Sequence, residues 1–209
     1  MTRGKFIVIE GMEGAGKSSA IDVIKAVLSE HNISFIQTRE PGGTPLAEEL
    51  RTIVKSAEHD EKVTQETELF LMYASRSQLV NNVIKPALER GDWVIGDRHD
   101  LSSRAYQGGG RNIDDSVMNT IADITLKGFK PDITIYMDIE PAIGLARARE
   151  RGALDRIEQE DMAFFERTHQ KYREFASQDD TVVTIDASQT MPKVHEDIRQ
   201  QLTLFVQGN

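Results

Sequence analysis

No cysteine occurs in the 209 residues, so disulfide frameworks, thiolate zinc sites, iron–sulfur clusters and cysteine nucleophiles are excluded together. Long apolar runs are missing as well. After Met1-Thr2-Arg3-Gly4-Lys5 only Phe6 to Ile9 are consecutively apolar before Glu10, which does not read as a secretory signal. No later run approaches the roughly 18 residues that span a bilayer, so this reading expects a cytoplasmic protein with no membrane partner. Positive charge is in deficit, with 25 Lys+Arg against 34 Asp+Glu and a net charge of −9. That argues against a chain that holds nucleic acid by bulk electrostatics, and any polyanionic ligand must meet a local basic pocket. Proline (6) and glycine (15) are too few for a collagenous or low-complexity chain.

What is present is an ordinary globular balance, 39% hydrophobic and 28% charged, at a length that suits one domain over residues 1–209. Short β-branched runs recur at Phe6–Ile9, Phe35–Ile36, Trp93–Ile95, Ile133–Met137 and Val182–Ile185. Between them lie helical patterns at Lys17–His31, Pro45–Ser56, Gln65–Arg90, Asp114–Lys127, Glu140–Arg149, Glu158–Gln178 and Pro192–Val206. Alternating strand and helix, with strands apolar on both faces, predicts a three-layer α/β sandwich around a parallel sheet of about five strands. Two segments resist placement in the core and read as functional loops: the glycine-rich Gln107–Arg111 and the arginine-dense Arg147–Arg156.

Gly11-Met12-Glu13-Gly14-Ala15-Gly16-Lys17-Ser18 matches G-x-x-x-x-G-K-[ST] directly after a strand and directly before a helix, the context a phosphate-binding loop requires. Its glycines let successive N–H groups converge on phosphate oxygens at a helix N-terminus. Lys17 is suited to neutralise β/γ phosphates and Ser18 to hold Mg²⁺. The third strand ends in Asp97 and Arg98, which puts a second candidate Mg²⁺ ligand and an anion clamp at the C-terminal sheet edge, where α/β folds bind ligands. The second strand runs into Arg39-Glu40-Pro41-Gly42-Gly43-Thr44, with Arg51 two helical turns on. Arg39, Arg51 and Arg98 make a cage for a monophosphate opposite the triphosphate. Such a loop is shared by GTPases, motor ATPases and small-molecule kinases, so it leaves the reaction open.

Together with Ala105-Tyr106-Gln107-Gly108 and Leu154-Asp155-Arg156-Ile157-Glu158, and in the same order, these segments resemble the thymidylate kinase family over essentially the whole chain. The resemblance implies a P-loop nucleoside monophosphate kinase that transfers the γ-phosphoryl of ATP to dTMP with Mg²⁺, in dTTP biosynthesis, usually as a homodimer with a mobile lid. It implies that Glu13 holds the sugar 3′-hydroxyl and that Arg39, Arg51 and Arg98, with Glu40 beside them, form the acceptor phosphate site. By the same likeness Arg76 reaches the thymine, Ser103 and Gln107 read the base or its surroundings, and Tyr106 crowds the sugar 2′ position. Family members place a phenylalanine four residues before that arginine. Here the position is Met72, and Phe70 lies about 200° away around the helix.

The phosphate loop carries no arginine, whereas the segment at about 147–158 carries Arg147, Arg149, Arg151 and Arg156. In this the chain resembles the bacterial subtype whose lid supplies the transition-state arginine. Arg151 is the expected donor, with Arg147 and Arg156 assisting at the nucleotide, and Gly152 as a hinge. Lys17, Asp97, Arg98 and Arg151 are thus the expected catalytic set. Two rivals stay open at this point: a kinase of the same fold acting on another monophosphate, and a P-loop ATPase or nucleotide sensor. His31, His59, His169 and His195 read as surface or helix residues, His99 as structural, and Phe164-Phe165 with Tyr172 and Phe175 as core or dimer interface.

Overall fold

The computed structural model describes residues 3–56, 60–150, 152 and 155–208. Arg151, Leu154 and His59 lie outside the described residues. Five strands form one all-parallel sheet: β1 (Phe6–Glu10), β2 (Phe35–Arg39), β3 (Trp93–Asp97), β4 (Ile133–Asp138) and β5 (Val182–Asp186), in the order β2-β3-β1-β4-β5. β1 is central and buried along its whole length. Its alternating side chains divide the core, because successive residues of a strand point to opposite faces. Ile7 and Ile9 pack with Ile24, Val27 and Leu28 of α1 (Lys17–Glu30) and Ile198 and Leu202 of α9 (Met191–Gln207). Phe6 and Val8 pack on the other face with Leu69 and Tyr73 of α3 (Gln65–Leu79), Leu88 of α4 (Lys85–Glu89) and Met118 of α6 (Asp115–Leu126). This is the expected three-layer sandwich.

The remaining helices are α2 (Pro45–Lys55), α5 (Asp100–Ser103), α7 (Pro141–Arg149) and α8 (Met162–Ala176). Among the described residues no helix is long and apolar enough to cross a membrane. The helical run expected at Gln65–Arg90 widens to a π-type turn at Val80–Ile84. Pro86, which follows in α4, lacks an amide donor and would clash with the carbonyl four residues back, so the backbone opens ahead of it. Asn81 and Asn82 donate side-chain N–H groups to the Ser77 and Gln78 carbonyls there.

One expected loop is not a loop. Arg104–Gly110 is a wide helical turn whose Ala105 to Gly108 and Gly110 are buried, packed against α8. Its glycines serve close approach rather than mobility. A Cβ on Gly109 would sit 2.9 Å from the Arg167 carbonyl, and one on Gly110 2.7 Å from Thr168 Oγ1. The arginine-dense segment is helical through Arg149, and α8 begins only at Met162, where Asp161 caps it by accepting from the Phe164 amide at 2.8 Å. Before that cap, Asp155 accepts from the Ile157 and Glu158 amides and folds the chain into a tight turn.

Candidate active site

The phosphate loop leaves β1 at Gly11 and enters α1 through Gly16, whose φ of 86° is left-handed and suits a residue without a Cβ. Its outer side rests on α7, where a Cβ on Gly14 would collide with the Gly144 carbonyl and one on Gly144 would lie 2.5 Å from the Glu13 carbonyl. Lys17 curls back over the loop, donating to the Gly11 and Met12 carbonyls at 2.9 and 2.8 Å. Burial and the nearby Arg98 guanidinium push its ammonium down to about 8.

Across the mouth of the loop, Arg98 follows β3 in a left-handed backbone conformation (φ 71°). Its amide continues the sheet by donating to the Ile9 carbonyl at 2.9 Å. The guanidinium donates to Glu13 Oε1 at 2.8 Å, while Tyr106 donates its hydroxyl to Glu13 Oε2 at 2.6 Å. Burial alone would push the Glu13 carboxyl up, but Arg98, Lys17 and the Tyr106 hydroxyl outweigh it and hold it below the usual range.

One cavity of about 470 Å³ connects these groups, a size suited to small-molecule ligands. Lys17, Ser18, Arg147 and Asp97 border it, as do Arg39, Arg51, Arg98, Met72, Tyr106 and Gln107. Arg51 donates to the Pro41 carbonyl at 2.8 Å, and half-exposed Arg39 pairs with Glu48 at 2.8 Å. Burial and repulsion from Arg39 together lower the Arg51 pKa, the mark of a wall with more positive charge than it has neutralised. An incoming phosphate would relieve that repulsion.

Arg76 and Ser103 are not in the cavity lining. Arg76 is wholly buried and joins Glu40 (Nε to Oε2, 2.6 Å), the His99 carbonyl (2.9 Å) and Ser103 Oγ (3.0 Å). Its Nη1 makes no hydrogen bond and lies 3.6 Å from Asp100. Met72, one helical turn earlier, does face the cavity and is 7% exposed, whereas Phe70 is 62% exposed. Arg147 reaches the Ala187 carbonyl at 3.2 Å and the Gly14 carbonyl at 3.5 Å. Arg156 departs from the expected nucleotide contact: it borders a different pocket and binds Glu68 Oε2 at 2.7 Å and the Val54 carbonyl at 3.0 Å. A buried carboxylate within reach outcompetes the open cavity for its guanidinium.

The chain that forms this cavity has relatives among known proteins. The chain matches the family profile described as thymidylate kinase over residues 9–198. It is 68% identical to the thymidylate kinase of Colwellia psychrerythraea over 206 residues, 99% of this chain and 97% of that one. It is 59% identical over 201 residues to that of Pseudoalteromonas translucida (96% of both chains). With that of Vibrio vulnificus it shares 57% over 208 residues (99% of this chain, 98% of the other). The chain belongs to the thymidylate kinase family.

The residues that motif reasoning passed over in this family member are two buried glutamates and their partners. Glu10, at the end of β1, accepts from the His99 amide (2.7 Å), the Ser102 amide (3.1 Å), the Ser102 hydroxyl (2.6 Å) and the Tyr172 hydroxyl (2.9 Å). Because both hydroxyl protons are drawn to Glu10, their lone pairs face outward, and Arg98 Nη1 lies 3.1 Å from Ser102 Oγ and 3.4 Å from Tyr172 OH. Burial pushes the Glu10 carboxyl up despite these donors. Glu68, on α3, accepts from Gln107, Arg111 and Arg156. His99 proves structural, as read from its position: it is buried, bonds Glu40 at 2.8 Å and packs edge-on to Phe6. Phe164, Phe165 and Tyr172 are core, packed with Tyr106 and Tyr136.

Mg²⁺ is implied by the family, and the donor set fits it. Asp97 Oδ1 is buried without a hydrogen-bond partner, and Asp97 and Ser18 border the same cavity. Among the described residues no group of three His, Cys, Asp or Glu side chains is placed to hold a metal. One carboxylate, one hydroxyl, water and substrate phosphates are the usual environment of Mg²⁺ in phosphoryl transfer.

Proposed function

We propose that this chain transfers the γ-phosphoryl group of ATP to dTMP, giving dTDP and ADP. Beyond membership of the family, the observation that carries the reading is that one cavity is bordered both by the phosphate loop and by Arg39, Arg51 and Arg98. In it the backbone of Gly11 to Ser18 surrounds the ATP phosphates, Lys17 lies beside the β/γ oxygens, and Ser18 and Asp97 would hold Mg²⁺, which would supply neutralisation of phosphate charge. The three arginines take the acceptor phosphate. Glu13 accepts from the sugar 3′-hydroxyl, Tyr106 closes the sugar's other edge, and Met72 and Gln107 border the base, while Arg76, fixed by Glu40, and Ser103 back that lining from behind. The acceptor phosphate brings its own negative oxygen, so the side chains align and neutralise rather than attack.

Residues of about 147–158 act as a lid in this reading. Arg147 at its root already faces the loop, and Arg151 is assigned the charge on the migrating group, so Arg151→Ala lowers kcat more than it raises KM. A homodimer is supported by apolar side chains left exposed on the neighbouring helices α3 and α6, Phe70, Val117 and Ile124; light scattering at assay concentration checks it. A nucleotide-consuming kinase belongs in the cytoplasm, and we place it there. The deciding assay is ADP formation from Mg-ATP with dTMP, dUMP, UMP, CMP and AMP offered separately, and with no acceptor. Turnover strongest with dTMP is the expected result. A different preferred acceptor, or equal turnover without any, would overturn the reading.

A further inference from the structure

Gln107 borders the cavity, yet its two amide atoms are treated differently by the protein. Nε2 donates to Glu68 Oε1 at 2.8 Å. Oε1 is buried and has no partner. The direction in which an amide points is set by its neighbours, and here the neighbour leaves no choice. Glu68 is 1% exposed and also receives Arg111 through Nε (3.2 Å, on Oε1) and Nη2 (2.9 Å, on Oε2), and Arg156 through Nη2 (2.7 Å, on Oε2). Burial would push its carboxyl up, but two guanidiniums and the Gln107 amide hold it below the usual range. It is therefore a carboxylate, and a carboxylate only accepts. The NH₂ of Gln107 must face it, which leaves the buried amide oxygen of this cavity-lining residue with unmet hydrogen-bonding capacity.

We propose that Glu68 is a positioning residue for acceptor choice: by locking the amide of Gln107, it presents an oxygen acceptor to the cavity and so selects a base with a ring N–H over one with a bare ring nitrogen at the same place. This deepens the dTMP reading and rests on it. A thymine or uracil ring carries N3–H and pairs with that oxygen. A cytosine ring carries an unprotonated N3, which would leave two acceptors facing each other in a buried site, a costly mismatch.

The substitution Glu68→Gln tests the lock, because it keeps shape and removes the acceptor-only property. Its single carbonyl oxygen stays with the two arginines and its NH₂ turns to Gln107, which flips and offers a donor to the cavity. Steady-state kinetics with dTMP and dCMP read the result. We expect the ratio of kcat/KM for dTMP over dCMP to fall by about tenfold or more, with the KM for ATP unchanged. In the Gln107→Leu background the same substitution changes that ratio no further, because the amide through which it acts is gone. A loss shared equally by both acceptors, or the same shift in the ratio with and without Gln107, would overturn the proposal and leave Glu68 a purely structural anchor. A wild-type enzyme inactive on dTMP would instead bring down the functional reading, and this inference with it. Should the Glu68 variant fail to fold, the wild-type side-chain amide of Gln107 decides by NMR. Two distinct, slowly exchanging NH₂ protons that stay in place when dTMP binds are expected, and a rapidly exchanging pair would overturn the lock.

Discussion

Glu10 and Glu68 are the same residue type, both essentially inaccessible to water, and their carboxyls shift in opposite directions. The difference lies in the partners. Glu10 is hydrogen-bonded by neutral donors, two amides and two hydroxyls, which even with the Arg98 charge nearby do not fully offset lost hydration. Glu68 is met by two guanidiniums and an amide. Burial thus does not by itself decide the charge of an acid, and the charge of its hydrogen-bonding neighbours does. The two acids also support different parts of the cavity wall: Glu10 accepts from the hydroxyls beneath Arg98, in the proposed phosphate end, and Glu68 accepts from Gln107.

The sharpest way to separate the two parts is Arg98→Ala, which empties the group that Glu10's hydroxyls support. We expect kcat/KM for dTMP to fall by about 10²–10³-fold in a variant that still folds, with a lowered melting temperature because Glu13 loses its buried partner. A loss under fivefold would break the assignment of this end to phosphate. Stability comes next. Glu68→Gln leaves two guanidiniums short of a counter-charge and should cost about 3–5 kcal/mol, whereas Glu10→Gln keeps the shape among neutral donors and should cost about 1 kcal/mol. Equal losses in urea titration would show that partner charge is not what distinguishes the sites.

The pH dependence of those losses differs in sign. The folded Glu68 carboxyl lies below the ordinary value of 4.5, so the stability it confers is present above 4.5 and is lost as pH falls through its folded value. The folded Glu10 carboxyl lies above 4.5, so the folded state holds the extra proton and loses stability relative to Glu10→Gln as pH rises from 4.5 toward its folded value. Parallel pH profiles for the two variants would break the contrast. The smallest effect concerns Lys17, whose ammonium sits at about 8. Triphosphate favours its charged form, so ATP binding at pH 8 should take up a fraction of a proton, measured by calorimetry in buffers of different ionisation enthalpy. Proton release instead would contradict the placement of Lys17 beside phosphate.

Much of the phosphate end was legible before any coordinates. Gly11 to Ser18 is contiguous, and Asp97, Arg98 and Arg39 each sit at a strand end of a parallel sheet, whose C-terminal edge gathers them whatever the details of packing. Glu10 and Glu68 were not legible. Glu10 reads as the polar residue that closes a strand. Glu68 lies in the first turn of α3 beside Glu66, where an acid is favoured by the helix dipole alone and needs no buried partner. The Glu68 partner of Arg156 was not legible either, because a run of arginines shows where positive charge is, not which anion each will find. The glycines at 108–110 look like a functional loop outside the core for a similar reason, since only the neighbouring α8 shows that they permit close packing.

Sequence alone determined the alternation of strand and helix, the phosphate-binding loop and the family to which the chain belongs, because each is written in contiguous residues or in a period of the chain. Tertiary structure decided which buried acids are charged and what they hold. Those pairings join residues far apart, 43 positions for Glu68 with Arg111, 88 for Glu68 with Arg156 and 162 for Glu10 with Tyr172. Contacts of that range depend on how whole helices seat against the sheet, and only that seating removes the water that would otherwise have left each glutamate an ordinary surface acid.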